Sequence, residues 1–214
     1  APLRGAAGPG RHRSGQPRGG PGRRRGGDHP GHEGDPAGAI AIARMLGCEK
    51  VFVPYVMPDA RPTDAAGWAG FGARLAAAGK PLQDAGLIFG WHNHDFELQA
   101  TETGEMPLDL IAGASDDLML ELDLGWVRRA GQDPVAWIEK LAGRLTTVHV
   151  KDIAPQGECA EEDGWADVGH GVMNWPAIHA ALQVAGGDHY VVEHDNPSDD
   201  ARFARRSLAA INDF

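Results

Sequence analysis

The sequence predicts an α/β fold, a (β/α)8 barrel lacking its first strands, and three observations lead there. Strand and helix signals alternate from Asp35 to the end, giving five strands. Four of those strands end in polar side chains that share one face. The chain has 214 residues, against about 250 for a complete barrel.

Residues 1–36 read as a low-complexity or disordered segment. They are dominated by Arg, Gly and Pro, and Leu3 is the only large aliphatic residue among them. Such a stretch cannot bury enough apolar surface to offset its ordering entropy. An Arg/Gly-rich arm for RNA is a weaker reading, because no aromatic residue is interleaved for stacking. The same monotony is also what a GC-rich gene yields when misread.

The domain proper is expected over 37–214. Asp35-Pro36 supplies an N-cap and a first turn, Ala37 to Leu46 a helix, and Gly47 its end. Val51 to Val53 is the first strand, and a helix is expected from Ala65 to Ala85. Leu87 to His92 is the second strand, Leu108 to Ala112 a short helix, and Leu118 to Asp123 the third strand. Asp133-Pro134 caps a helix that ends near Gly143, and Leu145 to Val150 is the fourth strand. Asn174 to Ala185 is a helix, His189 to Glu193 the fifth strand, and Asp199 to Ile211 the last helix.

This alternation implies right-handed βαβ units and a parallel sheet. A doubly wound open sheet fits five strands as well, but it usually places a Gly-rich phosphate loop after an early strand, and none stands there. The chemistry at the strand ends decides for the barrel.

Composition narrows the function classes. The formal net charge is −10 although Arg4, Arg11, Arg13, Arg18 and Arg23 to Arg25 all precede Asp28, so the rest is strongly acidic. An acidic surface disfavours nucleic acid and suits metal ions and small neutral or cationic ligands. No stretch approaches the roughly 20 apolar residues of a membrane helix, and no secretory signal core is present, so no membrane partner and a cytoplasmic location are expected. Cys48 and Cys159 have no metal-binding spacing; Cys48 is expected in the core and Cys159 in a loop.

Parallel strands buried on both faces should be apolar, so ionisable residues inside them need a partner or a metal. His92 and His94 share a face, as do Glu121 and Asp123. Thr147, His149 and Lys151 repeat the pattern, and so do Val191, Glu193 and Asp195. A (β/α)8 barrel builds its active site at that end of its strands. Imidazole plus carboxylates without thiolate suits a divalent ion such as Mn2+, Mg2+ or Co2+.

At these residues the chain resembles the sugar phosphate isomerase/epimerase family, the xylose isomerase-like TIM barrels that include inosose dehydratases, tagatose epimerases and dehydroshikimate dehydratases. The matching segments are Trp91-His92-Asn93-His94-Asp95-Phe96-Glu97-Leu98, Leu122-Asp123-Leu124-Gly125-Trp126, Ala130-Gly131-Gln132-Asp133-Pro134, Val148-His149-Val150-Lys151-Asp152, Asp167-Val168-Gly169-His170-Gly171 and Val192-Glu193-His194-Asp195-Asn196-Pro197. Their order and spacing cover 37–214. The resemblance implies one divalent ion held by a Glu, an Asp, a His and a second Glu. Asp123, His149 and Glu193 match the last three. His92 stands where relatives carry the first Glu, with His94 and Glu97 as rival ligands. Relatives open with three further βα units, for which residues 1–36 have no periodicity, so the barrel would have open strand edges unless a partner chain fills the gap.

The implied chemistry is proton transfer next to the carbonyl of a sugar or keto-sugar, through a metal-stabilised enediolate. Glu193 is a ligand and candidate base, Glu97 and His94 are alternative acid/base groups, and Lys151 is placed to stabilise an oxyanion or orient Asp152. Trp91, Phe96 and Trp126 are candidate walls against a sugar face. A lyase acting on a keto-inositol or keto-glycoside, an inactive barrel fragment and a homo-oligomer stay open.

Overall fold

The computed structural model describes residues 35–187 and 189–213. The low-complexity reading of residues 1–36 therefore falls, up to residue 34, outside the described residues.

Helix α1 (Pro36–Leu46) begins where the Asp35 side chain accepts from Gly38 N at 2.8 Å. Strand β1 (Lys50–Val53) and helix α2 (Ala65–Asp84) follow, the latter capped by Asp64 through Gly67 N. Next come β2 (Ile88–His92), α3 (Pro107–Ala112), β3 (Met119–Asp123), α4 (Leu124–Arg129), α5 (Pro134–Lys140) and β4 (Leu145–Val150). A short hairpin of β5 (Asp152–Ile153) and β6 (Trp165–Ala166) precedes α6 (Trp175–Ala185), β7 (Tyr190–Val192) and α7 (Asp200–Ile211).

The five main strands form one parallel sheet in the order β1-β2-β3-β4-β7, curled as a half-barrel. This is the open (β/α) barrel architecture that the alternation predicts, with β1 and β7 at the edges of the sheet. Close pairing of β2 with β3 depends on Gly90, where a Cβ would come 2.3 Å from the Met119 carbonyl oxygen.

Side chains alternate across the strands. Trp91, Leu120, Leu122, Val148 and Val150 are buried in the apolar core, together with Leu75, Leu82, Ile138, Ile178 and Leu182 of the helices. His92, Glu121, Asp123, Thr147 and His149 occupy the alternate positions. Register pairs His92 with Glu121 and Asp123 with His149. An irregularity at Leu120/Glu121 lets Leu120 pair with Leu145 but Glu121 with Thr147, passing over Thr146.

Three details differ from the sequence expectation. The β5–β6 hairpin and α4 were not foreseen, because two-residue strands and a six-residue helix carry too little periodicity to detect. Strand β7 is shorter than expected and leaves Glu193 just beyond its end. Cys48, expected in the core, is exposed, because it follows a helix whose only buried residue is Ala43. Cys159 sits in a loop as expected, at φ 49°. No helix among the described residues is long and apolar enough to cross a membrane.

Candidate metal centre

The C-terminal ends of β2 and β3 are locked together before any ligand is considered. Asn93 Oδ1 accepts from Asp123 N at 2.9 Å, and Asn93 Nδ2 donates to the Asp123 carbonyl at 3.4 Å. Asp123 is also the N-cap of α4, its Oδ1 accepting from Trp126 N at 2.9 Å. That fixes one carboxylate oxygen and leaves Oδ2 buried, facing the Lys151 ammonium as an ion pair rather than a hydrogen bond of good geometry.

Around Oδ2 the polar residues converge. His149 Nδ1 is 3.7 Å from it, His92 Nε2 3.9 Å, and Lys151 Nζ 3.0 Å. His149 Nδ1 is 2.6 Å from Glu193 Oε2, and its Nε2 is 3.3 Å from Glu121 Oε2. Glu121 Oε2 also lies 3.1 Å from His92 Nδ1. Lys151 is buried and reaches Glu193 Oε2 at 3.0 Å and Asp195 Oδ1 at 2.9 Å. Two groups bring their ligand atoms within 4.8 Å of one another: Asp123, His149 and Glu193, and His92, Glu121 and His149. Nitrogen and carboxylate donors without thiolate, converging within 4.8 Å, fit a divalent ion.

The electrostatics follow from these contacts. Burial opposes ionisation of Glu121, but hydrogen bonds from His149 and His92 prevail and hold its pKa at about 2. The hydrogen bond from His149 likewise holds Glu193 at about 2, against a burial penalty and with help from Lys151. Burial lowers His149, yet Glu121 and Glu193 raise it to about 9. Burial pushes Asp123 up, with Lys151 pulling the other way. His94 is lowered to about 4 by burial and then by the charges of His92, Lys151 and Arg61, so it is neutral at pH 7.

The sequence profile of the family described as xylose isomerase-like TIM barrel matches residues 37–213. The chain belongs to this family. Among solved structures, a sugar phosphate isomerase/epimerase from Parabacteroides distasonis is 25% identical, with 80% of this chain and 59% of that chain covered and a TM-score of 0.67. The IOLI protein with a bound zinc atom is 16% identical, covering 82% and 66%, with a TM-score of 0.65. The probable 3-DHS dehydratase from Bacillus anthracis is 14% identical, covering 82% and 67%, with a TM-score of 0.62. The chain spans 59% and 60% of the length of the two Parabacteroides distasonis structures that it matches. A comparison with curated proteins found no match.

In this xylose isomerase-like barrel, His92, Asp123, His149 and Glu193 stand together, with Lys151 among them. Glu97 is turned elsewhere: Oε1 accepts from Trp91 Nε1 at 2.9 Å, and Oε2 from His94 N at 2.9 Å. Both oxygens thus serve the Trp91-to-His94 turn, and Glu97 belongs to neither ligand group. His94 packs its ring 5.0 Å from that of His92, parallel to Phe96 at 5.9 Å and 5.3 Å from Trp126. Trp91 is no wall of the site: it is fully buried on the opposite face of β2, its ring 5.1 Å from Phe71. Lys151 does not orient Asp152, whose carboxylate accepts instead from the amides of Ile153, Gly169, Gly171 and Met173 and from Trp175 Nε1. A Cβ on Gly171 would come 2.2 Å from Asp152 Oδ1, so glycine admits that carboxylate to the loop. Glu121, assigned no role from sequence, is central; its place two residues before Asp123 on one face was the available signal.

Proposed function

We propose that the chain forms the site of a divalent-metal-dependent sugar isomerase or epimerase that moves a proton at the carbon next to a carbonyl. One observation carries the reading: Asp123, His149 and Glu193 offer ligand atoms within 4.8 Å of one another around the buried Asp123 Oδ2, which the Lys151 ammonium faces at 3.0 Å. His92 is the fourth candidate, with Nε2 3.9 Å from the same oxygen. A bound Mn2+, Mg2+ or Co2+ would supply Lewis-acid stabilisation of the charge that develops on the carbonyl oxygen.

The chain's own groups supply the rest. Glu193 is ionised and its side chain is 40% exposed, so its carboxylate is placed to take a proton from a substrate entering from solvent. Lys151 Nζ, shared among Asp123, Glu193 and Asp195, opposes the burial penalty on Asp123, helps to hold Glu193 ionised and supplies fixed positive charge near the reacting oxygen. Neutral His94 is able to hand a proton on without a change of charge in the apolar ring cluster. Trp126, with its ring 5.3 Å from that of His94, provides an apolar ring face for a sugar.

Elimination of water from a keto-inositol or keto-glycoside starts with the same proton removal, and product analysis separates the two. The test of the metal site is elemental analysis of chelator-washed, Mn2+-reconstituted protein, wild type against His149→Ala. About one ion per chain in the wild type, lost in the variant, together with ketose turnover, is the expected result. No bound metal in either protein would overturn the reading; metal without turnover of any ketose or keto-inositol would restrict it to a ligand set on an inactive barrel fragment.

A further inference from the structure

Arg61 lies in the segment between β1 and α2, at the same end of the sheet as His92, Asp123 and His149. Its guanidinium carbon is 3.5 Å from the centroid of the Phe96 ring and 5.1 Å from that of Tyr55. Nη2 donates to the Tyr55 hydroxyl at 2.6 Å, and Nε donates to the Val56 carbonyl at 3.1 Å. These contacts fix the plane of the group. They leave three of its five N–H groups without an acceptor among the described residues.

No carboxylate forms an ion pair with this cation among the described residues, although its charge reaches Glu97 and the chain carries 30 acidic against 20 basic side chains. Some other cations are matched. Arg202 and Arg206 are paired with Glu162 and Asp167, Lys140 with Asp109, and Lys151 has three carboxylates. With Nε and one Nη2 hydrogen engaged, the Nη1 end of the guanidinium stays open, and its remaining N–H groups suit a carboxylate or a phosphate. The ring on which it lies leads directly to the metal ligands: Phe96 stacks on His94, and His94 is 5.0 Å from His92. Tyr55, which holds Nη2, has its ring 5.0 Å from His94 as well.

We propose that Arg61 is a specificity-determining residue that binds an anionic substituent, a carboxylate or a phosphate, carried by the sugar whose carbonyl end is handled at Asp123, His149 and Glu193. The inference rests on the proposed function for the second half of that sentence. The anion contact itself rests on Arg61 alone. Neutral ketoses then bind without using this cation, and acidic ketoses gain from it.

The test is calorimetric titration of the full chain reconstituted with Mn2+, its metal content checked, using fructose, fructose 6-phosphate and fructuronate, with inorganic phosphate and acetate as minimal anions. Arg61→Gln removes the charge, and Arg61→Lys keeps charge and stem length, which controls for lost packing on Phe96. The expected result is that one acidic ketose binds at least about tenfold more tightly than fructose. Arg61→Gln should erase that preference with fructose binding and Mn2+ content unchanged, and Arg61→Lys should retain part of it. Preference for fructose 6-phosphate assigns the anion as phosphate, and preference for fructuronate as carboxylate. Equal affinity for all three ketoses, or an equal loss of all three in Arg61→Gln, overturns the inference while bound Mn2+ leaves the functional reading standing. A chain that takes up no Mn2+ overturns the functional reading instead; phosphate or acetate binding that disappears in Arg61→Gln then sustains the anion site, and its absence ends it.

Discussion

His149 Nδ1 lies 2.6 Å from Glu193 Oε2, and this contact makes a candidate metal ligand also a strong proton holder. Burial alone would lower the imidazole pKa, but Glu121 on one nitrogen and Glu193 on the other raise it to about 9. A cation that coordinates this ring must therefore displace a proton at neutral pH. Glu193, held at about 2, has already lost its own.

The apparent affinity for Mn2+ should accordingly rise by about tenfold per pH unit between pH 6 and pH 8 and level off near the His149 pKa of about 9. Competition with a chelating dye across that range checks it. An affinity independent of pH over those two units would mean that His149 is not displaced.

Asp123 has two separable tasks. Its Oδ1 caps α4 through Trp126 N, and its Oδ2 faces the ligand cluster. Asp123→Asn retains a cap acceptor, so its stability should change by less than about 1 kcal/mol, whereas Asp123→Ala should lose about 1 kcal/mol more. Both variants should bind Mn2+ at least about tenfold more weakly. Denaturant unfolding and metal titration on the same samples separate the two effects; unchanged metal affinity in Asp123→Ala would remove Asp123 from the site.

Glu97 should make the protein less stable as pH rises. Burial raises its pKa from 4.5 to about 7, with the hydrogen bonds from His94 N and Trp91 Nε1 resisting. A folded state that holds a proton more tightly than the unfolded chain gains stability that is fully present below pH 4.5 and is lost as pH passes through about 7. The swing is on the order of 3 kcal/mol at most. Glu97→Gln cannot ionise, so its stability relative to wild type should improve between pH 5 and pH 8. Urea unfolding at both values checks this, and parallel pH profiles for the two proteins would refute it.

Asp152 should matter to folding more than to chemistry. Its carboxylate serves four backbone amides and the Trp175 indole, and it is 1% exposed. Asp152→Ala strands those donors and should cost about 3 kcal/mol or more. Mn2+ content of the surviving folded protein should be retained, because Asp152 is in neither ligand group. A fully stable Asp152→Ala variant that loses metal would reverse this assignment.

Much of this architecture is local in origin, and the sequence by itself determined it. Capping pairs such as Asp35-Pro36 and Asp133-Pro134, glycines at helix ends and apolar runs set the order of strands and helices to within a few residues. Strand alternation likewise put His92, Asp123 and His149 on faces separate from Trp91, Leu122 and Val148, because a period of two is a property of each strand alone. Only the tertiary structure decided which of these side chains meet. The irregular register at Leu120/Glu121 and the pairing of β3 with β4 bring Glu121 onto His149, and the curl of the sheet brings Lys151 among three carboxylates. It also turned Glu97 toward Trp91, left Cys48 exposed and laid Arg61 on Phe96 beside the site. Those outcomes depend on distances between segments far apart in the chain, and such distances are set by packing and inter-strand register, which no local pattern encodes.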